Sequence, residues 1–454
     1  MRGWIVHCLL ATSLGPKKNP SLRPTALFGV ETVKGPFSSD MFESSEAWGC
    51  RPLLVRGAFD ADSLLRDEWW PSWEPLMELT KEVPCRTIRH VPKDLGSFTL
   101  EWGPLRNNND NDDDKTKWTV VMNDVEQYYP PLADWMDREF GFLPRWRRDD
   151  GQVSLATTMG GIGPHVDNYD VFLIQMTGQR EWQIQNSILM EHKERLIPDL
   201  DVRILRDWKG FQSVCLSPGD LLYLPPRFAH CGWSQSDDCT TLSVGCRAPC
   251  ASQLVSRIAE QVCRSQQPSA VARYRDPSPH TTTNEPHQHH QRRSINQQVK
   301  QDMKQLVLDA IHDILDNDPV WDELVGKLVT ESNRPREDYP TALDDMDKSE
   351  IDDLGVWGQP NQAIQNVLEG KGALYRAEGI SFAYSLLQDG SLRLYANGRA
   401  YPVEQDSSPV CELIAQVVDG PCLNSAQLQA TADNPHAIQL LERLLREGLL
   451  YGSP

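Results

Sequence analysis

The chain of 454 residues carries 64 acidic and 45 basic side chains, so its formal net charge is −19 and its pI is near 5.0. This length is enough for two or three domains, and the acidity argues against direct binding to nucleic acid phosphates while suiting either a basic protein partner or simple solubility. The 11 cysteines include no Cys-x-x-Cys pair and are odd in number, so we expect a reducing compartment inside the cell.

The first 30 residues are basic, unlike the rest of the chain. No acidic residue precedes Glu31, and the apolar run 4–11 is too short to span a bilayer. Two interpretations remain open: a targeting leader, which would direct the protein to a mitochondrion or plastid, or a disordered tail on a cytoplasmic protein. No other segment is apolar enough to cross a membrane, so we expect no membrane partner.

Several strands and turns are predicted in the next part of the chain. Residues 169–176 are rich in β-branched and aromatic side chains, 177–179 resemble a turn, and 180–185 alternate between apolar and polar, which together predict a β-hairpin. Residues 221–224 predict a buried strand after a tight turn. The acidic run 107–114 predicts a surface loop.

A His-x-Asp pair and a distant histidine form a candidate metal site. His165 and Asp167 follow a glycine-rich stretch, and His230 follows the predicted strand 221–224. Because residues i and i+2 of a strand point the same way, His165 and Asp167 can face one metal from the end of a single strand. Two histidines and one carboxylate leave three open positions on iron(II), as O2 activation requires. A lone His-x-Asp pair is common without a metal, but the flanking turns and strands favour the metal site.

Arg180 begins the return strand of the predicted hairpin and should point into the same small barrel as the ligands. A buried arginine needs an anionic partner, and a carboxylate that accepts two hydrogen bonds is the natural one. The partner is either a protein acid, such as Glu181 or Asp170, or the distal carboxylate of 2-oxoglutarate, whose other end would chelate the iron. The second alternative predicts a 2-oxoglutarate site.

These segments resemble the core of the JmjC-type ribosomal oxygenases, and within them most closely the bacterial-type ribosomal protein arginine hydroxylases. The resemblance covers most of residues 37–277 and extends more weakly into the C-terminal third. It is carried by residues 51–57, 118–125, 154–184, 216–230 and 242–249.

The resemblance implies a mainly β catalytic domain with the double-stranded β-helix (cupin/JmjC) fold. It implies iron(II) ligation by His165, Asp167 and His230, and 2-oxoglutarate anchoring by Arg180 with a hydrogen bond from Ser154. Because family members that hydroxylate histidine tend to carry lysine as the anchor, Arg180 favours O2-dependent hydroxylation of arginine in a basic, large-subunit ribosomal protein. The alternatives are a histidyl hydroxylase of ribosomal proteins, a JmjC histone lysine demethylase and a non-catalytic cupin-like binding module.

The sequence departs from the family pattern near the second histidine. Arg227 and Ala229 stand where relatives often have small or proline residues, and Cys231 stands where an acid is frequent, which leaves the substrate pocket and the surroundings of the ligands undefined. Asp170 is a candidate partner for a substrate arginine, provided that a bulge brings it into phase with Asp167.

Composition and periodicity, together with what the resemblance implies for the catalytic and winged-helix-like parts, divide the chain into five parts. Residues 1–30 are the leader or tail, 31–265 the catalytic domain, 266–297 a low-complexity linker, 298–372 a helical region and 373–454 a winged-helix-like domain. The resemblance implies that the helical region forms a homodimer. In the last part, strands are expected at 382–386 and 392–396 with a turn at 389–390, followed by three helices, the last near 437–447. Acidic residues there favour protein interaction over DNA binding.

Overall fold

The computed structural model describes residues 29–66, 70–92, 94–105, 116–275, 297–331, 360–377, 379–387, 391–403, 408–420 and 422–452. The predicted leader up to residue 28, the loop 107–114, the turn 389–390 and most of the predicted linker lie outside these residues. The chain forms two compact units, one of residues 1–144 and 148–247 and the other of residues 145–147 and 248–454. The boundary between them precedes the predicted linker.

The first unit is built mainly from strands, with short helices near its beginning. Its strands are β1 Glu31–Lys34, β2 Leu53–Arg56, β3 Cys85–His90, β4 Thr99–Trp102, β5 Lys117–Met122, β6 Arg148–Ala156, β7 Asp170–Thr177, β8 Arg180–Ile188, β9 Gln212–Leu216, β10 Leu221–Leu224, β11 Phe228–Ser234 and β12 Cys239–Cys246. Its helices are α1 Ser39–Ser44, α2 Ala61–Arg66, α3 Trp73–Leu79, α4 Val125–Tyr128 and α5 Pro130–Glu139.

Two sheets pack face to face in this unit. The large sheet has nine strands in the order β1-β2-β10-β7-β12-β6-β5-β3-β4, and the small sheet has the order β11-β8-β9. Leu173 and Leu222 of the large sheet share one hydrophobic core with Trp182 and Leu216 of the small sheet. Such a pair of facing sheets is the double-stranded β-helix expected for this part of the chain.

Strand β7 shows how the sequence specifies the large sheet. Seven of its eight residues are buried, so both of its faces are covered. Val171 and Leu173 point into the core between the sheets, whereas Phe172 and Ile174 join the core on the opposite face together with the helices. The alternation follows from the two-residue period of a strand, and it explains why the segment is almost continuously apolar.

The predicted hairpin of residues 169–185 is wrong in its pairing, although both strands exist. β7 pairs with β10 and β12, whereas β8 pairs with β9 and β11, so the turn carries the chain from one sheet to the other. Gly178 has φ +63°, and a Cβ there would lie 2.1 Å from Ser236 Oγ, so glycine is required at this crossing. Sequence alternation alone cannot distinguish a hairpin from such a crossing.

The second unit begins with helices and continues with two small sheets. Its helices are α6 Ala251–Arg264, α7 Gln297–Leu315, α8 Asp318–Thr330, α9 Pro360–Leu368, α10 Ser408–Asp419, α11 Ser425–Gln429 and α12 Pro435–Arg446. Its strands are β13 Leu374–Arg376, β14 Phe382–Leu386, β15 Leu392–Ala396, β16 Arg399–Pro402, β17 Cys422–Leu423 and β18 Leu450–Gly452, in sheets ordered β17-β13-β18 and β14-β15-β16.

The strands β14 and β15 have the bounds that the sequence predicted. Helix α12 begins two residues earlier than predicted, at Pro435, where Asn434 accepts hydrogen bonds from the first-turn amides of His436 and Ala437. The winged-helix assignment stays a prediction. Among the described helices, none is both long and apolar enough to cross a bilayer.

Candidate metal and co-substrate site

Three side chains that can bind a metal meet at one end of the space between the sheets. The ligand atoms of His165, Asp167 and His230 all lie within 4.8 Å of one another, and His230 Nε2 is 3.6 Å from Asp167 Oδ2. The imidazole centroids of His165 and His230 are 4.3 Å apart. The fold therefore brings together the three side chains that the sequence pattern predicts to lie close to one another.

Hydrogen bonds hold Nδ1 of both imidazole rings and leave Nε2 of each ring for a metal. His165 Nδ1 lies 2.8 Å from the carbonyl oxygen of Gly163, and His230 Nδ1 lies 2.9 Å from that of Phe228. A ring that donates from Nδ1 to a carbonyl keeps the lone pair of Nε2 for a metal. The two backbones are also tied to each other, because the amide of each histidine donates to the carbonyl of the other at 3.0 and 2.9 Å.

Burial keeps the second histidine neutral. It lowers the pKa of His230 to about 4, and the neighbouring His165 acts in the same direction. A neutral imidazole is the form that coordinates a metal. The donor set, two imidazoles and one carboxylate on a single side, fits a mononuclear iron(II) ion.

The strand that was expected to carry the first two ligands is absent at that position. His165 forms an isolated bridge with His230, and β7 begins only at Asp170, so Asp167 lies in an irregular segment. His230 lies on β11 of the small sheet rather than on a strand beside β7. The ligands converge because the two sheets face each other.

Arg180 lies in the interior without a protein partner for two of its nitrogens. It is 1% exposed, and its Nε and Nη2 make no hydrogen bond within the part of the chain that the structure describes. The protein acids that were considered as partners are engaged elsewhere: Glu181 accepts from Ser213, and Asp170 accepts from Tyr223 at 2.5 Å. An unpaired buried guanidinium is costly, so the site is suited to an anion that brings two acceptor atoms.

Trp182 is a second buried donor that sequence reasoning missed. Its indole Nε1 has no hydrogen-bond partner among the described residues, it is 4% exposed, and its ring centroid lies 5.8 Å from Arg180 Cζ. The period-two alternation of β8, which places Arg180, Trp182 and Ile184 on one buried face, was the signal that could have identified it.

The three candidate metal ligands and the two buried donors line the same cavity, of about 300 Å³. Ser154 of β6, which is 4% exposed, is part of its wall. The cavity is lined by Arg86, Asp150, Gln152, Ser154, Ile162, His165, Val166, Asp167, Tyr169, Val171, Leu173, Arg180, Trp182, Asp201, Val202, Arg203, His230, Ser243 and Gly245.

Two further residues singled out from the sequence do not line this cavity. Asp170 is buried against Tyr223, whose hydroxyl also accepts from the amide of Gly49 at 2.7 Å, so the hypothesis that it receives a substrate arginine is not supported. Cys231 is fully buried beside Arg180, and burial raises the pKa of its thiol. A neutral thiol there leaves the charge of Arg180 unbalanced.

A pair of carboxylates lies at the cavity wall, where Asp150 lines the cavity and Glu126 does not. Glu126 accepts from the amide of Gly151 at 2.8 Å, and burial together with the neighbouring Asp150 raises the pKa of Glu126 from 4.5 to about 8. Folding therefore favours the neutral form of Glu126. The stability that the protonated carboxyl contributes to the folded state is complete below pH 4.5 and is lost as the pH rises through 8.

We therefore expect the stability of Glu126→Gln relative to the wild type to be greater at pH 8.5 than at pH 4.5, by about 4 kcal/mol. Thermal unfolding at the two pH values measures this difference. The exposed Glu74→Gln serves as the control and should show no such pH dependence. Equal stability of Glu126→Gln and wild type at both pH values would contradict the assignment.

Comparison with known proteins agrees with this geometry. Residues 136–254 match the family model described as JmjC domain. The chain is 28% identical over 393 residues to the "Probable ribosomal oxygenase" of Haemophilus influenzae, covering 85% of this chain and 87% of that protein. It is 31% identical over 221 residues to the "Ribosomal protein uL16 3-hydroxylase" of Escherichia coli, covering 48% of this chain and 55% of that protein.

A solved structure has the same fold along most of the chain. The Escherichia coli ribosomal oxygenase YcfD, solved in complex with cobalt and 2-oxoglutarate, superposes with a TM-score of 0.66 at 22% identity and covers 92% of this chain and 99% of that one. The similarity therefore spans both units of the chain.

Proposed function

The chain belongs to the JmjC-domain ribosomal oxygenases, which are 2-oxoglutarate-dependent dioxygenases, and we propose that it hydroxylates an arginine side chain of a large-subunit ribosomal protein. The observation that carries the 2-oxoglutarate-dependent chemistry of this proposal is the placement of Arg180, with two unpaired buried nitrogens, in the same cavity as His165, Asp167 and His230. A binding module without catalysis has no need of all four residues.

In this proposal His165, Asp167 and His230 hold iron(II). Iron(II) and 2-oxoglutarate together supply oxidative decarboxylation to succinate and CO2, which leaves one oxygen atom of O2 for a C–H bond. Arg180 binds the distal carboxylate of 2-oxoglutarate through Nε and Nη2, and Ser154 adds a hydrogen bond. The cobalt and 2-oxoglutarate named for the Escherichia coli structure support this choice of ligands.

Acidic groups in the cavity support a cationic substrate. Asp150 and Asp201 both line it beside Arg86 and Arg203, and Arg203 is already paired with Glu194. A substrate guanidinium pairs well with carboxylates. The net charge of −19 would also attract a basic ribosomal protein. The name of the Escherichia coli relative, a ribosomal protein uL16 hydroxylase, supports the substrate class.

Fragmentation mass spectrometry of large-subunit ribosomal proteins, treated with the enzyme, iron(II), 2-oxoglutarate and O2, tests the substrate. We expect one added oxygen atom on a single arginine. Oxygen on a histidine would instead assign the histidyl hydroxylase, and loss of methyl groups from histone lysines the demethylase. Either result would overturn the arginine proposal while leaving the metal site in place.

The helical region offers a surface for a second copy of the chain, and we propose that it forms the homodimer. Met303 and Val307 lie four residues apart on α7 and are 48% and 59% exposed, whereas Ala310 and Ile314 of the same helix are buried. Exposed apolar residues at this spacing form one face of a helix.

We expect Val307→Asp to convert the dimer to a monomer at micromolar concentration, because a carboxylate would be buried without a partner at the interface. Light scattering coupled to size-exclusion chromatography measures the mass. Gln305→Glu adds the same charge two residues away on the same helix, where the side chain is exposed, and should leave the mass unchanged. A dimeric Val307→Asp protein would refute this surface.

A further inference from the structure

Arg227 has a backbone conformation that arginine rarely adopts. Its φ is +71°, in the left-handed region that favours glycine, and it stands three residues before the metal-binding His230. A side chain with a Cβ in this region costs about 1 kcal/mol or more unless its surroundings hold it there. The side chain of Arg227 therefore has to make contacts that offset the strain.

The backbone of Arg227 joins two segments beside the metal site. Its amide donates to the carbonyl oxygen of Asp167 at 2.8 Å, and its own carbonyl oxygen accepts from the amide of Leu189 at 2.9 Å. Asp167 lies in neither a strand nor an isolated bridge, unlike His230 and His165, and Leu189 directly follows β8. The backbone at residue 227 thus links the loop of the metal-binding carboxylate to the end of the strand that carries Arg180.

The guanidinium group bonds both segments a second time. Its Nε and Nη2 donate to the carbonyl oxygen of Leu189 at 2.9 and 2.7 Å, its Nη1 donates to Asn168 Oδ1 at 2.8 Å, and its Nη2 also pairs with Glu194. The side chains of Arg227 and Glu194 are 15% and 5% exposed. Only a planar, forked donor group can serve three acceptors placed in this way.

Glu194 extends the connection to the cavity. It also pairs with Arg203, which lines the cavity that contains the metal ligands. The carboxylate, 5% exposed, thus lies between two guanidinium groups and is fully paired. The segment around Glu194 is held in place from both sides, which gives Arg227 a fixed support.

We propose that Arg227 is a positioning residue, whose guanidinium clamps the Asp167–Asn168 loop to the segment around Leu189 and Glu194 and thereby sets the orientation of the Asp167 carboxylate toward the metal. The proposal rests on the metal site assigned under the proposed function. His165 and His230 are held by their reciprocal backbone hydrogen bonds, whereas Asp167 depends on this clamp.

Cobalt(II) affinity of the apoprotein, followed by visible absorption of the bound ion, tests the clamp without turnover. Arg227→Gly keeps the left-handed backbone and its amide donor but removes the guanidinium. We expect the dissociation constant for cobalt(II) to rise about 10-fold or more, as for other groups that orient a metal ligand, with a changed absorption spectrum. Arg227→Lys should give an intermediate value, because one ammonium replaces only part of the fork.

The control is Arg206→Ala, which removes a 61% exposed arginine of the same unit and should bind cobalt(II) like the wild type. A merely structural role would lower the melting temperature of the apoprotein and leave the affinity and spectrum of the folded fraction unchanged. An affinity of Arg227→Gly within twofold of the wild type, with the wild-type spectrum, would overturn the clamp.

Asn168→Ala keeps the test decisive if Arg227→Gly does not fold, because it removes only the bond to Nη1. It should weaken cobalt(II) binding in the same direction and by a smaller factor, and an unchanged affinity would overturn the clamp. Failure of the wild-type protein to bind cobalt(II) is a different result, since it would overturn the proposed metal site itself.

Discussion

Replacing His165 with alanine is expected to abolish iron-dependent release of succinate from 2-oxoglutarate. His165 supplies one of three ligand groups that lie within 4.8 Å of one another, and its Nδ1 is held by the Gly163 carbonyl so that Nε2 faces the site. Replacing a group that only orients a metal ligand typically lowers metal affinity or activity 10- to 100-fold, and replacing the ligand itself should lower them further. We therefore expect a loss of more than about 100-fold in both iron affinity and turnover.

His192→Ala is the matched control for this variant. His192 is an exposed histidine of the same unit, in the short turn Glu191–Lys193, and it does not line the cavity. Turnover and iron content of this variant should equal those of the wild type. A His165→Ala protein that retained iron and released succinate at the wild-type rate would refute the ligand assignment.

Replacing Arg180 with methionine should have two opposite effects. The dissociation constant for 2-oxoglutarate should rise about 100-fold, because two charge-assisted hydrogen bonds in a buried site contribute about 3 kcal/mol. The apoprotein should be at least as stable as the wild type, since an unpaired buried charge is replaced by an apolar side chain of similar length. This combination separates a binding role from a structural one.

Calorimetric titration with 2-oxoglutarate in the presence of cobalt(II) measures the affinity, and thermal unfolding of the apoprotein measures the stability. Arg138→Met serves as the control, because Arg138 is 63% exposed on α5 and does not line the cavity. A threefold or smaller change in 2-oxoglutarate affinity would contradict the anchoring role of Arg180. A marked loss of stability in the apoprotein would show that the guanidinium has a protein partner.

The sequence was informative about which segments form strands and less so about their pairing. Residues 221–224, 382–386 and 392–396 form strands where their alternation and composition predicted them. The turn at Gly178 was interpreted as a hairpin because a local pattern contains no information on which sheet each flanking strand joins. Pairing in facing sheets is decided by contacts between residues distant in the chain.

The sequence predicts those parts of the candidate site whose chemistry depends only on the type of residue. The sequence singles out His165, Asp167, His230 and Arg180 because a metal and a dicarboxylate require such groups, and the structure brings them to one cavity. The clamp of Arg227 was not predictable in this way, since its partners lie far from it in sequence and its role depends on a positive φ that no pattern predicts. In the sequence, Arg227 was noticeable only as a departure from the family pattern.

Turnover under oxygen-18 gas tests the central claim most directly. With iron(II), 2-oxoglutarate and the large-subunit ribosomal proteins, one heavy oxygen atom should enter succinate and one should enter a single arginine of one protein, and neither should be labelled with His165→Ala. Product oxygen that comes from water, or labelling that persists in His165→Ala, would contradict the assignment of His165, Asp167 and His230 as the site of an arginine-hydroxylating dioxygenase.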